Sequence, residues 1–432
     1  MLPRLLVIAD DLTGALDTGV QFCKQGITTQ VHFAGRLDWR RLPPELQVLI
    51  VNAESRHLPA AEAYQIVHSL ATNAYAHGVR VVYKKIDSGL RGNIGAELHA
   101  LANAAGEAVY LLPAFPKMRR VTRLGTHYID EVPVSESVFG KDPFEPVRFS
   151  SIPELIALQS EVPVSLSRPQ SPENPPGKAI VVVDSETDGD LQLAAHALKS
   201  RQPRALAGCA GFAAFLPVLI DFDTRPSLPP KGAQKMIVIS GSINPITLQQ
   251  GQYAKDNGFT VFELTPAQKL ESGYFSGESA KEFFNQVRQA ALNAPVLVTA
   301  AMTTAAVEST DGLISGQQLT KEDARVTISK NIGEFAAKLL LEEDAVLFIV
   351  GGDTLYATLT CLGIYEVEPL QELVPGVVLS RIDFKGRSVE FVTKSGGFGS
   401  EDTILQAGNI LRSITTNAPN AQPQQAAATP DS

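Results

Sequence analysis

The sequence is poor in the residues that make cross-links and membrane spans. Its 432 residues include three cysteines, Cys23, Cys209 and Cys361, far apart and with no CxxC pair. An odd, scattered set of this kind excludes a disulfide framework or a zinc site and fits a reducing cytoplasm. No apolar run approaches the roughly 18 residues of a membrane span. The first apolar stretch, Leu5 to Ala9, meets Asp10 before it reaches the length of a signal-peptide core. Basic residues are outnumbered, 37 Lys and Arg against 46 Asp and Glu, for a net charge of −9. That balance argues against a nucleic-acid-binding surface and makes any anion site a local one. The seven histidines show no paired ligand spacing, so no tightly bound protein metal is expected. GxxxxGK(S/T), GxGxxG after a strand and a His-Arg-Asp catalytic loop are all missing, which counts against P-loop, dinucleotide oxidoreductase and protein-kinase readings.

What is present is α/β patterning. The chain is too long for one ordinary core, so two domains of roughly 200 residues are expected. In the first half, strands at Leu5–Ala9, Thr29–Phe33, Val48–Val51, Val79–Tyr83, Val109–Leu112 and Ala179–Val183 alternate with helical stretches at about Thr13–Lys24, around Ala63–Ala74 and from Ile94 to Ala105. The second half repeats the pattern, with strands at Met236–Ile239, Phe259–Leu264, Pro295–Thr299 and Ala345–Val350 and a long helix from about Lys321 to Leu341. Alternation of this kind predicts mainly parallel sheets covered by helices. Val377–Ile382 and Ser388–Thr393 read as a hairpin-like pair, and Pro113–Ser150 as a long irregular insertion, often functional. The Pro- and Gly-containing segment Asp221–Gln234 reads as the linker between domains at 1–225 and 235–414, and 415–432 as a disordered tail.

Polar residues collect where these strands end, which is where open α/β sheets bind ligands. The run Lys84-Lys85-Ile86-Asp87-Ser88-Gly89-Leu90-Arg91-Gly92-Asn93 lies between a strand and a helix, and its cations suit an anion near a helix N-terminus. Strand alternation lets only one of Lys84 and Lys85 face a ligand, and Lys85 is the one chosen. An ion pair within the run plus an Asn93 cap is the purely structural alternative. Asp10-Asp11 follows the first strand and suits either a helix cap or a sugar hydroxyl and general base. Arg56, beyond the Val48–Val51 strand, is either a solvated loop residue or, if the sheet is parallel, a partner of Lys85 and Arg91 around a substrate carboxylate. In the second half Ser240-Gly241-Ser242, Gly351-Gly352-Asp353-Thr354 and Lys394-Ser395-Gly396-Gly397-Phe398-Gly399 each follow a strand. Three small-residue clusters at strand ends suggest a nucleotide's phosphates.

Taken together, Asp10-Asp11-Leu12-Thr13-Gly14-Ala15, Lys85-Ile86-Asp87-Ser88, Leu90-Arg91-Gly92, Pro113-Ala114-Phe115-Pro116 and the three clusters of the second half resemble the four-carbon acid sugar kinase family. The resemblance spans about Leu5 to Leu411. It implies an N-terminal domain binding an acid sugar, a C-terminal domain binding ATP with Mg²⁺, an active site in the cleft between them, and phosphorylation of O4 of a tetronate. Acid binding would fall on Asp11, Arg56, Lys85, Ile86, Asp87, Ser88 and Arg91, with Asp11 or Asp87 as the base. ATP binding would fall on Ser240, Gly351, Gly352, Asp353, Thr354, Gly396 and Gly397, with Asp353 beside the Mg²⁺. The sequence departs from the family pattern at Gly89, where a hydroxyl residue is usual, and at Lys117–Arg120, and these departures bear on substrate choice. A non-catalytic sugar-acid-binding protein and a ribokinase-like sugar kinase are the rival readings. Small-molecule substrates, no nucleic acid and no membrane are the expected partners, with a homo-oligomer left open.

Overall fold

A computed structural model describes residues 2–142, 145–225, 229–316, 319–342 and 345–417. Residues 226–228 of the expected linker and 418–432 of the expected tail lie outside these described residues. The final helix, Thr403–Asn417, runs three residues into the segment read as tail.

In the first half the strands are β1 (Leu5–Ala9), β2 (Thr29–Phe33), β3 (Val48–Asn52), β4 (Val81–Lys85), β5 (Val109–Leu112), β6 (Arg120–Arg123), β7 (Thr126–Ile129), β8 (Val132–Pro133), β9 (Val164–Ser167), β10 (Ile180–Val183) and β11 (Ala205–Gly208). The second half adds β12 (Met236–Ser240), β13 (Thr260–Glu263), β14 (Val296–Thr299), β15 (Val346–Val350), β16 (Glu366–Val374), β17 (Val377–Phe384) and β18 (Arg387–Lys394). Helices α1 (Leu12–Cys23), α2 (Ala60–Ala76) and α3 (Ile94–Ala105) connect the early strands. The central strands β1, β3, β12 and β15 are buried along their whole length, as expected of parallel strands covered on both faces.

Two differences from the sequence expectation matter. The halves do not carry separate sheets: fifteen strands form one sheet in the order β13-β14-β12-β15-β18-β17-β16-β2-β3-β1-β4-β11-β5-β10-β9. Antiparallel pairing of Glu366 with His32 and Val367 with Val31 makes the join. The nine residues of β16 contain Pro369 and four glutamate or glutamine side chains, a composition that hides a strand from propensity reasoning. Helix α1 packs against it closely at Gly19, where a Cβ would lie 2.8 Å from Pro369 and 3.1 Å from Ile50. The insertion Pro113–Ser150 is also not structureless, because β6, β7 and β8 form a three-stranded antiparallel sheet within it.

Strand order sets the ligand-binding edge. β1 lies between β3 and β4, and β12 lies between β14 and β15, so each parallel array reverses its winding direction at its first strand. Such switch points open a crevice beyond the strands' carboxyl ends. The loops after β1, β3 and β4 and those after β12, β14, β15 and β18 therefore meet. No helix among the described residues is long and apolar enough to cross a membrane.

Candidate active site

A cavity of about 380 Å³ lies between the two sets of loops. One wall carries Asp10, Asp11, Arg56 and Arg91 from the first half, and the other carries Gly241, Ser242, Gly351–Thr354 and Ser395–Gly397 from the second. A Cβ on Gly352 would sit 3.6 Å from Thr13 Oγ1 and 3.7 Å from Asp11 Oδ2, so the walls approach each other here. A small adjoining cavity of about 10 Å³ is lined by Asp11, Asp17, Lys85 and Asp87 and by Lys394 and Phe398.

On the first wall, charges are paired rather than free. Arg56, 8% exposed, donates from Nε to Asp10 at 2.7 Å and from Nη1 to Asp11 at 2.6 Å, and its Nη2 lies 3.9 Å from Asp87. Burial opposes its charge, but the three carboxylates hold its pKa well above the usual guanidinium value. Asp11 also caps α1 by accepting from Gly14 N at 2.7 Å, and it accepts from Thr13 Oγ1 at 3.0 Å, so the capping and site readings of this residue hold together. Gly14 has a specific reason to lack a side chain: a Cβ there would lie 2.4 Å from Asp11 Oδ1 and 2.9 Å from Lys85 Nζ.

Arg91 grips Asp87 through Nε at 2.7 Å and Nη2 at 3.2 Å, and it reaches Asp142 at 3.1 Å. Burial alone would raise the Asp87 carboxyl, but Arg91 and Arg56 outweigh it and hold the pKa well below the ordinary carboxylate range. The loop after β3 is tied down by Asn93, whose Nδ2 donates to the carbonyls of Ser55, Arg56 and Leu58 at 3.0, 3.3 and 2.8 Å. Asn93 thus clamps the Arg56 loop instead of giving α3 a side-chain cap.

The two lysines of β4 diverge as strand alternation requires. Lys84, fully buried, pairs with Glu97 of α3 at 3.0 Å, a structural ion pair. Lys85 lines the small cavity, and among the described residues its Nζ makes one hydrogen bond, to Ile86 O at 2.8 Å. Three sequence-predicted residues stand off the cavity walls. The Ile86 side chain is packed in the core, Ser88 accepts a hydrogen bond from Arg120 Nη1, and Ser240 is 2% exposed with its hydroxyl unpartnered.

On the second wall, Gly351 has φ +112°, a conformation that side-chain-bearing residues rarely adopt. Lys394 is threaded under the last glycine loop, donating to the carbonyls of Ser395, Gly396 and Phe398 at 2.8, 3.3 and 3.0 Å. Burial pulls its pKa down to about 7. Asp353 accepts from Arg325 Nη1 at 2.5 Å.

Sequence reasoning missed four residues of this region. Arg120, noted only as part of a departure, is buried, stacks 4.4 Å from the Phe398 ring centre and 5.1 Å from that of Phe139, and donates to Gly397 O at 3.2 Å, bridging the halves. Glu54 lines the large cavity with φ +48°, and burial raises its carboxyl to about 7. Arg325 holds Asp353 from the long helix Lys321–Glu342. Asp17 lies within α1 and lines the small cavity. As the one charged residue of α1, it carried a signal in the sequence that could have found it. His127 is fully buried between Thr122 Oγ1 and Ser88 O, a structural hydrogen bonder.

Fold and cavity together define a two-lobed enzyme-like molecule with a polar, cation-rich lobe facing a glycine-rich one, and comparisons with known proteins sharpen that class. Residues 5–216 match the model of a sugar-binding N-terminal domain, and residues 237–404 that of a nucleotide-binding C-terminal domain. The D-threonate kinase of Salmonella typhimurium is 32% identical over 94% of this chain and 97% of that protein. The 3-oxo-tetronate kinase of Methylobacterium radiotolerans is 27% identical over 94% of this chain and 98% of that one. A crystal structure from Salmonella typhimurium LT2, described as a tRNA synthase, superposes with a TM-score of 0.73 at 22% identity, covering 93% of this chain and 98% of that one, a likeness of fold alone. The chain belongs to the four-carbon acid sugar kinase family.

Proposed function

We propose that this protein is an ATP-dependent kinase that transfers the γ-phosphoryl group to O4 of a four-carbon sugar acid such as D-threonate, D-erythronate or a 3-oxo-tetronate. The observation that carries the reading is the single cavity lined by the Asp11–Arg56 cluster on one side and the Gly351–Thr354 and Gly396–Gly397 backbone on the other. The names of the relatives support it.

Phosphoryl transfer depends on positioning and electrostatics more than on covalent chemistry by the protein. Backbone amides at Gly351, Gly352, Gly396 and Gly397 line the cavity without side chains and suit close approach to phosphates. Asp353 is the carboxylate beside the glycines of that wall; together with nucleotide oxygens it fits the one or two carboxylates that Mg²⁺ usually takes from a protein, and the bound ion would neutralise charge on the phosphates. On the acid side, Lys85 holds the substrate carboxylate. Arg56, already shared among three aspartates, fixes Asp11. Asp11 faces Gly352 and orients the attacking hydroxyl, accepting its proton as the bond to phosphorus forms. Asp87, held well below the ordinary carboxylate range by Arg91 and Arg56, serves this reading better as a positioning group than as the base.

The small cavity, about 10 Å³, holds no more than a water. The lobes therefore part to admit the acid and close around it to exclude water. ADP release with Mg-ATP and a panel of D- and L-threonate, D- and L-erythronate and 3-oxo-tetronates tests the function. Silence across the panel from folded protein that also fails to bind ATP would overturn it.

A further inference from the structure

Asp17 is an acidic side chain placed where an apolar residue would be expected. It lies on the second turn of α1, 6% exposed, and its Oδ1 is buried with no hydrogen-bond partner among the described residues. A buried carboxyl oxygen left unpaired forfeits its hydration with no hydrogen bond to offset the loss. The carboxyl lines the small cavity together with Lys85 and Asp11. Burial raises it to about 7, with Lys85 and Arg120 pulling it down and Glu372 and Asp11 pushing it up; Cys209 also faces it. An unpartnered acceptor facing a cavity beside a lysine that makes one hydrogen bond is an arrangement completed by a ligand.

Direction along α1 says which part of the ligand. Asp11, at the N-terminus of the helix, faces the nucleotide-side glycine Gly352. Asp17 is six residues further on, about 9 Å along the axis at 1.5 Å per residue, against the wall formed by Val378 and Lys394. With O4 held at Asp11, the carboxylate end of the acid points toward Asp17 and pairs with Lys85. The hydroxyl on the carbon next to that carboxylate is the group within reach of Asp17. D-threonate, D-erythronate and 3-oxo-tetronate all carry this hydroxyl; the first two are epimers at the carbon that bears it, and the third differs by a ketone at the next carbon.

We infer that Asp17 is a specificity-determining residue that accepts a hydrogen bond from the 2-hydroxyl of the bound acid. The inference rests on the proposed kinase reading. Its test compares the best tetronate of the panel with 3,4-dihydroxybutanoate, the same chain lacking the 2-hydroxyl, on wild type, Asp17→Asn and Asp17→Ala. A site built to bond a hydroxyl rejects the analogue that lacks it, so wild type is expected to show kcat/KM lower by more than about tenfold for 3,4-dihydroxybutanoate. In Asp17→Ala the tetronate KM rises more than kcat falls, and the ratio between the two acids collapses toward one. The melting temperature of ligand-free Asp17→Ala does not fall, because the group removed had no partner. A purely structural residue would lower the melting temperature and leave the ratio intact. Equal use of both acids by wild type, or an unchanged ratio in the variants, overturns the inference alone, and the wild-type ratio decides even where a variant fails to fold. Wild-type silence on every acid overturns the kinase reading, and this inference with it.

Discussion

Replacing Asp17 with asparagine should change how stability depends on pH, and the structure sets both sign and size. Burial raises the folded carboxyl from its ordinary 3.8 to about 7. Its favourable contribution is therefore fully present below pH 3.8 and is lost as pH rises through 7, because between those values unfolding releases a proton. From pH 5.5 to pH 8 the titration spans about one and a half units below 7, and at about 1.4 kcal/mol per unit the wild type loses about 2 kcal/mol. Asp17→Asn keeps the shape and lacks the titration. Its advantage over wild type should therefore grow by about 2 kcal/mol across that interval, or about 4–8 °C in melting temperature for a lobe of this size. Differential scanning calorimetry of both proteins, ligand-free, at pH 5.5, 6.5 and 8 is the assay. Taking the difference between the proteins cancels titrations they share, apart from the coupling of Asp17 to Lys85, Glu372, Arg120 and Asp11. A constant offset at all three pH values, or a variant that loses ground as pH rises, would refute the reasoning.

Other expectations follow from single contacts. Glu97→Ala strands the fully buried Lys84 ammonium, which it meets at 3.0 Å, and should cost about 3–5 kcal/mol in urea unfolding, because breaking a buried pair leaves an uncompensated charge; a loss under 1 kcal/mol would show that water reaches Lys84. Gly89→Ser would place its Cβ 2.5–2.8 Å from the Phe139 ring carbons, displacing the ring on which Arg91 and Arg120 stack. Its kcat/KM should fall more than about tenfold, in the range of overpacking costs of 1–3 kcal/mol, and recover in part when Phe139→Ala is added; no recovery would remove Phe139 from the explanation. Gly351→Ala, at φ +112°, should raise the KM for ATP at a strain cost of about 1–3 kcal/mol while leaving acid binding by calorimetry unchanged.

Much of the scaffold was legible residue by residue. Leu5–Ala9 and Val109–Leu112 occur with the limits read from apolar runs, because fully buried parallel strands leave a continuous apolar signature, and Thr29–Phe33 occurs with the limits read from its alternation of Thr, Val and Phe with polar residues. The polar runs after them could be recognised as ligand edges for the same reason. β6 to β8 were hidden because they are only two to four residues long, and because the turn between β7 and β8 rests on left-handed Asp130 and Glu131, which carry no glycine signal. Ser240, Ser88 and Ile86 looked like site residues because they adjoin residues that do line the cavity; their side chains face other neighbours, and no local pattern reports that.

The sequence by itself determined the element types, the lobe that carries cations and the lobe that carries glycines, since periodicity and small-residue clusters are local properties of the chain. Tertiary structure alone decided which charges are spent on one another. Arg56 and Arg91 are drawn to Asp10, Asp11, Asp87 and Asp142, leaving Lys85 as the cation with hydrogen-bonding capacity turned to the small cavity. The same long-range packing buried Asp17 with its Oδ1 unpartnered among the described residues. Strand order and loop packing bring these residues together from positions as far apart in sequence as Asp10 and Asp142, and electrostatic strength depends on their distance in space and on the water excluded around them.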